Sequence, residues 1–148
     1  MRTITPIIAL LLCLSGVPAG AQEAADALPR TAAPAGAEVY IQAPANGAEV
    51  SSPFTIRFGL RGMGVAPAGI EAPNTGHHHL LIDVDALPPD NLPLPATDQV
   101  RHFGAGQTET QLDLPPGRHT LQLVLGDALH IPHQPPVRSE RITITVVE

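Results

Sequence analysis

Residues 112–127 read LDLPPGRHTLQLVLGD. Pro115-Pro116-Gly117 cannot continue a strand ladder and marks a turn. Beyond it His119, Leu121, Leu123 and Leu125 alternate with Thr120, Gln122 and Val124. That is the period of two expected of a strand with one face in a core. Residues 107–114, QTETQLDL, read as the strand entering the same turn.

The period recurs on both sides of this corner. EVYIQAP (38–44) reads as a strand, and in PFTIRFGLR (53–61) Phe54, Ile56, Phe58 and Leu60 share one face. HHHLLIDV (77–84) and VRSERITITVV (137–147) complete the set. Residues 62–76 are a long Gly/Pro loop, 127–136 is a rigid loop stiffened by prolines, and the proline-dense stretch 85–106 has room only for a short edge strand near NLPL. No helical period is present in 38–148. About six or seven short strands separated by turn signals predict an all-β, immunoglobulin-like β-sandwich. The 112–127 segment resembles the corner before the last strands of such domains, with His119 in the place of the usual aromatic residue.

The chain begins differently. Arg2 precedes an apolar run, Ile7–Val17, and Pro18-Ala19-Gly20-Ala21 offers a cleavage point. Residues 1–21 therefore read as a signal peptide, too short in its apolar part to span a bilayer. Cys13, the single cysteine, lies inside that run behind Leu12, which does not suit lipoprotein anchoring. The expectation is a periplasmic protein with no membrane anchor. Residues 22–37, rich in alanine and proline, read as a disordered or extended linker, leaving 38–148 as the domain.

Composition removes several classes of function. The net charge is −6. The sequence has no lysine, so no basic footprint for nucleic acid is present. Without Cys13 there is no disulfide and no thiolate ligand. Ser51, Ser52 and Ser139 lie in no nucleophile motif, and no glycine-rich phosphate loop opens a helix. A three-histidine zinc with an open position could hydrolyse a substrate, with Glu71 or Glu109 as base, but no spacing supports it. The expectation is a binding domain and not an enzyme.

The histidines carry the chemistry. There are seven, all between residues 77 and 133. In an immunoglobulin-like topology the starts of strands 77–84 and 107–114 and the loop 127–136 meet at one pole. His77, His78, His79, His102, His130 and His133 gather there, and His119 lies at the other. Alternation places His78 above the core with Leu80 and Ile82, as a satisfied buried histidine. It turns His77 and His79 outward or across the loops. His77, His79, His102, His130 and His133 are the candidate ligands of a transition metal, copper or zinc, because neutral imidazole suits both. Met63 is a weaker candidate, and Asp83, Asp85 and Asp127 are candidate partners that would orient a ring. The alternative is a loop cluster whose rings only bond carbonyls, in a structural or protein-interaction module of the cell envelope. His119 is expected to bond a carbonyl near its corner. If ordinary imidazoles hold the ion, affinity should fall steeply between about pH 7 and pH 5.

At GHHHLLID, HFGAGQTET and LPPGRHTLQLVLGDALHIPH the chain resembles an uncharacterised family of exported bacterial domains, the domain-of-unknown-function family 4399. The similarity covers roughly residues 74–147. It implies a small periplasmic all-β protein whose hallmark is the histidine blocks at His77, His78, His79, His102, His119, His130 and His133. It implies no activity and no ligand. Relatives are expected to carry a further histidine where this chain has Ala128.

Overall fold

The computed structural model describes residues 28–148. The signal-peptide segment 1–21 and the start of the linker lie outside the described residues. Nine strands are present among those described: β1 (Glu38–Ala43), β2 (Glu49–Ser51), β3 (Phe54–Arg61), β4 (Gly64–Val65), β5 (Thr75–Ile82), β6 (Val100–His102), β7 (Glu109–Leu112), β8 (Gly117–Gly126) and β9 (Ile142–Val147). One sheet has the order β1-β3-β7. The other runs β2-β9-β8-β5-β4, with β6 also paired to β5. The fold is the expected all-β sandwich, with nine strands in two sheets where about six or seven were expected.

The core follows from the alternation. Ile56, Leu80, Leu112, Leu121, Leu123, Leu125 and Ile144 are fully buried between the sheets. Side chains at every second residue reach the space between the sheets. The six strands expected from periodicity are all present. β2, β4 and β6 are additions of two or three residues, formed by pairing with longer neighbours. The edge strand expected near NLPL lies instead at Val100–His102. There His79 pairs with His102, Leu80 with Arg101 and Leu81 with Val100.

β5 differs from the other strands because both of its faces are covered. Gly76 through Ile82 are all buried. His78, Leu80 and Ile82 face the main core. On the opposite face, Leu81 joins Leu94, Val100 and Val124 in a second, smaller apolar cluster. Leu94 and Val100 come from the proline-dense excursion between β5 and β7. Backbone bonds from Ile82 to Gln99 (2.7 Å) and from Leu94 to His130 (2.9 Å) dock that excursion. The Arg138–Asp90 ion pair and the Arg141 guanidinium on the Val84 carbonyl (2.8 Å) add to it.

Residues 28–34 run alongside the domain and are fastened to it, and a turn at Ala35-Gly36 leads into β1. Ala33 donates to Gln134 and Gln134 donates to Thr31, both at 2.9 Å. Ala33 and Ala37 pack against the main core. The ordered body therefore begins before residue 38.

Candidate metal centre

Strand alternation sets the site. His77 and His79 project from the outer face of β5, beneath the docked excursion and the β8–β9 loop. Of the two placements the alternation allowed, outward or across the loops, the second holds, and both rings are completely buried. β6 sets His102 beside His79, and the β8–β9 loop brings His130 over the pair. Ring centres lie 4.7 Å apart for His77–His79, 4.9 Å for His77–His102 and 5.2 Å for His79–His102. His130 lies 5.0 Å from His77, 5.9 Å from His79 and 4.6 Å from His102. One nitrogen each from His77, His79 and His102 lie within 4.8 Å of one another.

The polar accounting is unusual. No ring nitrogen of His77, His78 or His79 has a hydrogen-bond partner among the described residues. Buried polar atoms are nearly always paired, and each orphan costs about 1–3 kcal/mol. Burial, with His130 and His102 alongside, lowers the pKa of His77 to about 4. Burial, with His77, His102 and His130 alongside, lowers that of His79 to about 3. Burial and then His130 lower that of His102 as well. The rings are therefore held neutral, the form in which imidazole offers a lone pair to a cation.

Two glycines make the space. A Cβ on Gly126, the cross-strand partner of His77, would stand 2.7 Å from His79 Cε1. A Cβ on Gly104 would stand 2.2 Å from His102 Cε1. Both rings lie against bare backbone. Gly104 marks a tight loop beside His102 in the sequence already, whereas Gly126, the last residue of β8, does not stand out there.

The β8–β9 loop is locked by Asp127. Its Oδ1 accepts from the amides of Leu129 (2.9 Å) and Ile131 (3.0 Å), and its Oδ2 accepts from the Thr31 hydroxyl (2.7 Å). Between those amides His130 takes a left-handed backbone, φ 68°. Arg30 adds bonds to the carbonyls of Pro132 and His133. Asp127 orients the loop rather than a histidine ring.

Other candidates fall elsewhere. His133 is buried, but its Nε2 faces the Thr75 carbonyl (3.1 Å) and its Nδ1 the Leu125 carbonyl (3.4 Å). A neutral ring donates to only one of these two carbonyls, and His133 is outside the trio whose nitrogens lie within 4.8 Å of one another. His78 stacks on Phe58, with centres 5.0 Å apart. It lies on the core face as expected but is not satisfied as expected. Met63 packs on the main core. Asp83 belongs to the far end, where its Oδ2 lies 2.7 Å from His119 Nδ1. His119 Nε2 lies 2.9 Å from the Pro115 carbonyl, the corner bond the sequence suggested. Asp85 offers only its backbone carbonyl, to Arg141 (3.4 Å).

The sequence profile described as Domain of unknown function (DUF4399) matches residues 56–147. The chain belongs to this family. No curated protein and no solved structure matches it.

Proposed function

We propose that this DUF4399 domain binds a transition-metal ion, copper or zinc, through His77, His79 and His102, and acts as a periplasmic carrier or buffer. One observation carries the reading. Four buried imidazole nitrogens, on His77 and His79, have no partner and stand around His102, whose side chain reaches the surface. A cation bound there would satisfy one orphan on each ring and bridge the buried pair to the exposed one. The rings are neutral, so binding need displace few protons. The apolar run and cleavage point at residues 1–21 support export.

A binding role is favoured over catalysis. Glu109 is held by Arg57 (3.1 Å) on the opposite sheet, away from the histidines. Tag-free protein titrated with Zn2+ and Cu2+ in a calorimeter should bind one ion tightly. Loss of that binding in His79→Ala, with the fold intact, would assign it to this cluster.

The second reading, an envelope interaction module, has its own observation. Ile70 and Leu129 are more than half exposed. They flank a hollow of about 480 Å³ between the β4–β5 and β8–β9 loops. A partner captured equally by wild type and by a His77→Ala/His79→Ala variant would favour that reading over metal carriage.

A further inference from the structure

The six distances among the rings of His77, His79, His102 and His130 span 4.6 to 5.9 Å. A zinc–nitrogen bond is about 2.0 Å, which puts an imidazole centre about 3.1 Å from the ion; four such rings in a tetrahedron have centres about 5 Å apart. A square-planar set would instead give four separations of about 4.4 Å and two of about 6.2 Å. Five of the six observed values lie between 4.6 and 5.2 Å, and only His79–His130, at 5.9 Å, is longer. The arrangement is close to a tetrahedron, stretched along one edge.

We infer that His130 closes a tetrahedral four-imidazole site and that this site selects Zn2+ over ions that prefer square-planar or tetragonal coordination. The inference rests on the metal-binding reading and names the geometry and the ion for that site. His130 is outside the trio whose nitrogens lie within 4.8 Å of one another. Its ring must turn about its side-chain bonds to aim a nitrogen inward. It is the ligand best placed to do so, because it sits on a loop and is only partly buried. Its backbone is fixed by Asp127, so the movement is confined to the side chain. The division of labour follows: His77 and His79 are buried on a central strand, while His102 and His130 stand at the solvent side. An ion would meet the outer pair first and be passed inward.

The ligand set also argues for selection. Zn2+ carries no d-electron preference and accepts a tetrahedron without penalty, whereas Cu2+ and Ni2+ favour tetragonal N,O sites. β5 is hydrogen-bonded along both edges and covered on both faces, so the buried His77 and His79 rings cannot flatten toward a plane with the outer pair without breaking sheet contacts.

Co2+ is the probe, because its visible spectrum separates four-coordinate from six-coordinate nitrogen sites. The full-length tag-free protein should give the intense bands of a four-coordinate ion, and Zn2+ should displace both Co2+ and an equimolar amount of Ni2+. His130→Asn removes the ring while keeping a residue that tolerates the left-handed backbone. It should give weak, higher-coordinate Co2+ bands and lose at least tenfold in Zn2+ over Ni2+ preference. Weak bands in the wild type, or identical spectra for wild type and His130→Asn, would overturn the four-histidine site while leaving metal binding by the trio standing. Failure of the wild type to bind Co2+ and Zn2+ at all would overturn both.

Discussion

His79 on β5 stands directly across from His102 on β6, with ring centres 5.2 Å apart. The pairing joins a completely buried residue to an exposed one. It also means that a three-residue strand, docked by Leu94 and Val100, carries a ligand into the site. Removing His79 should therefore weaken Zn2+ binding by at least about 100-fold, more than the loss typical of partners behind the ligands. His133→Ala should leave affinity within a few-fold of wild type, because both His133 nitrogens face backbone carbonyls. Isothermal titration of the two variants checks this. Equal losses would return His133 to the ligand set.

Gly126 is where the sheet makes room for a ligand. Gly126→Ala would place a methyl group 2.7 Å from His79 Cε1 and 3.3 Å from the His130 carbonyl carbon. Overpacking of this kind costs about 1–3 kcal/mol. The expected result is a lower urea midpoint together with weaker Zn2+ binding. An unchanged midpoint and affinity would mean that the His79 ring is free to move aside.

Asp127 and Thr31 fix the β8–β9 loop. Asp127→Ala removes three accepted hydrogen bonds, two from Leu129 and Ile131 and one from Thr31. A loss of about 1–3 kcal/mol is expected by denaturant unfolding. Thr31→Val removes only the third bond and should cost less, with Thr31→Ser restoring it. If Thr31→Val destabilised the domain as much as Asp127→Ala, the loop would not be held in the way the bonds indicate.

His119 and Asp83 form a second pH-sensitive element, far from the histidine cluster. Burial opposes the charged ring, but bonds to Asp83 and the Pro115 carbonyl outweigh it and raise the His119 pKa. The stabilisation is thus fully present below about pH 6.5 and is lost as pH rises through the raised value. His119→Ala should cost about 1–3 kcal/mol in mild acid and less at alkaline pH. A cost that grows with pH would contradict the assignment.

Much of the sandwich was legible because alternation survives in every strand long enough to show it. Phe54-Ile56-Phe58 and Leu121-Leu123-Leu125 announce their faces directly. β2, β4 and β6 were not legible: two or three residues carry no period, and pairing with neighbours creates them. The gathering of His77, His79, His102 and His130 followed from topology alone. The burial of His77 and His79 did not, because it depends on Leu94 and Val100 folding the proline-dense excursion back over the sheet. The separation of His130 from His133 was equally hidden. It is decided by a left-handed backbone at residue 130, held by the Asp127 carboxylate, and by the packing that faces the His133 nitrogens toward the carbonyls of Thr75 and Leu125.

Burial also moves the acid response expected of ordinary histidines. With folded pKa values of about 4 for His77 and about 3 for His79, these rings stay neutral well below their unfolded value of about 6.5. The unfolded chain binds more protons across that interval, so metal-free stability is highest above it and falls as pH drops through it. The same lowered values shift proton competition for the metal to lower pH than unperturbed imidazoles would show. The most direct measurement is thermal melting of tag-free protein, with and without Zn2+, from neutral to acid pH. The expected result is a higher melting temperature with Zn2+ at about pH 7, a gap that persists through about pH 5, and convergence toward about pH 4 as His77 takes its proton. Coincident melting curves with and without Zn2+ at every pH would contradict metal binding by this cluster.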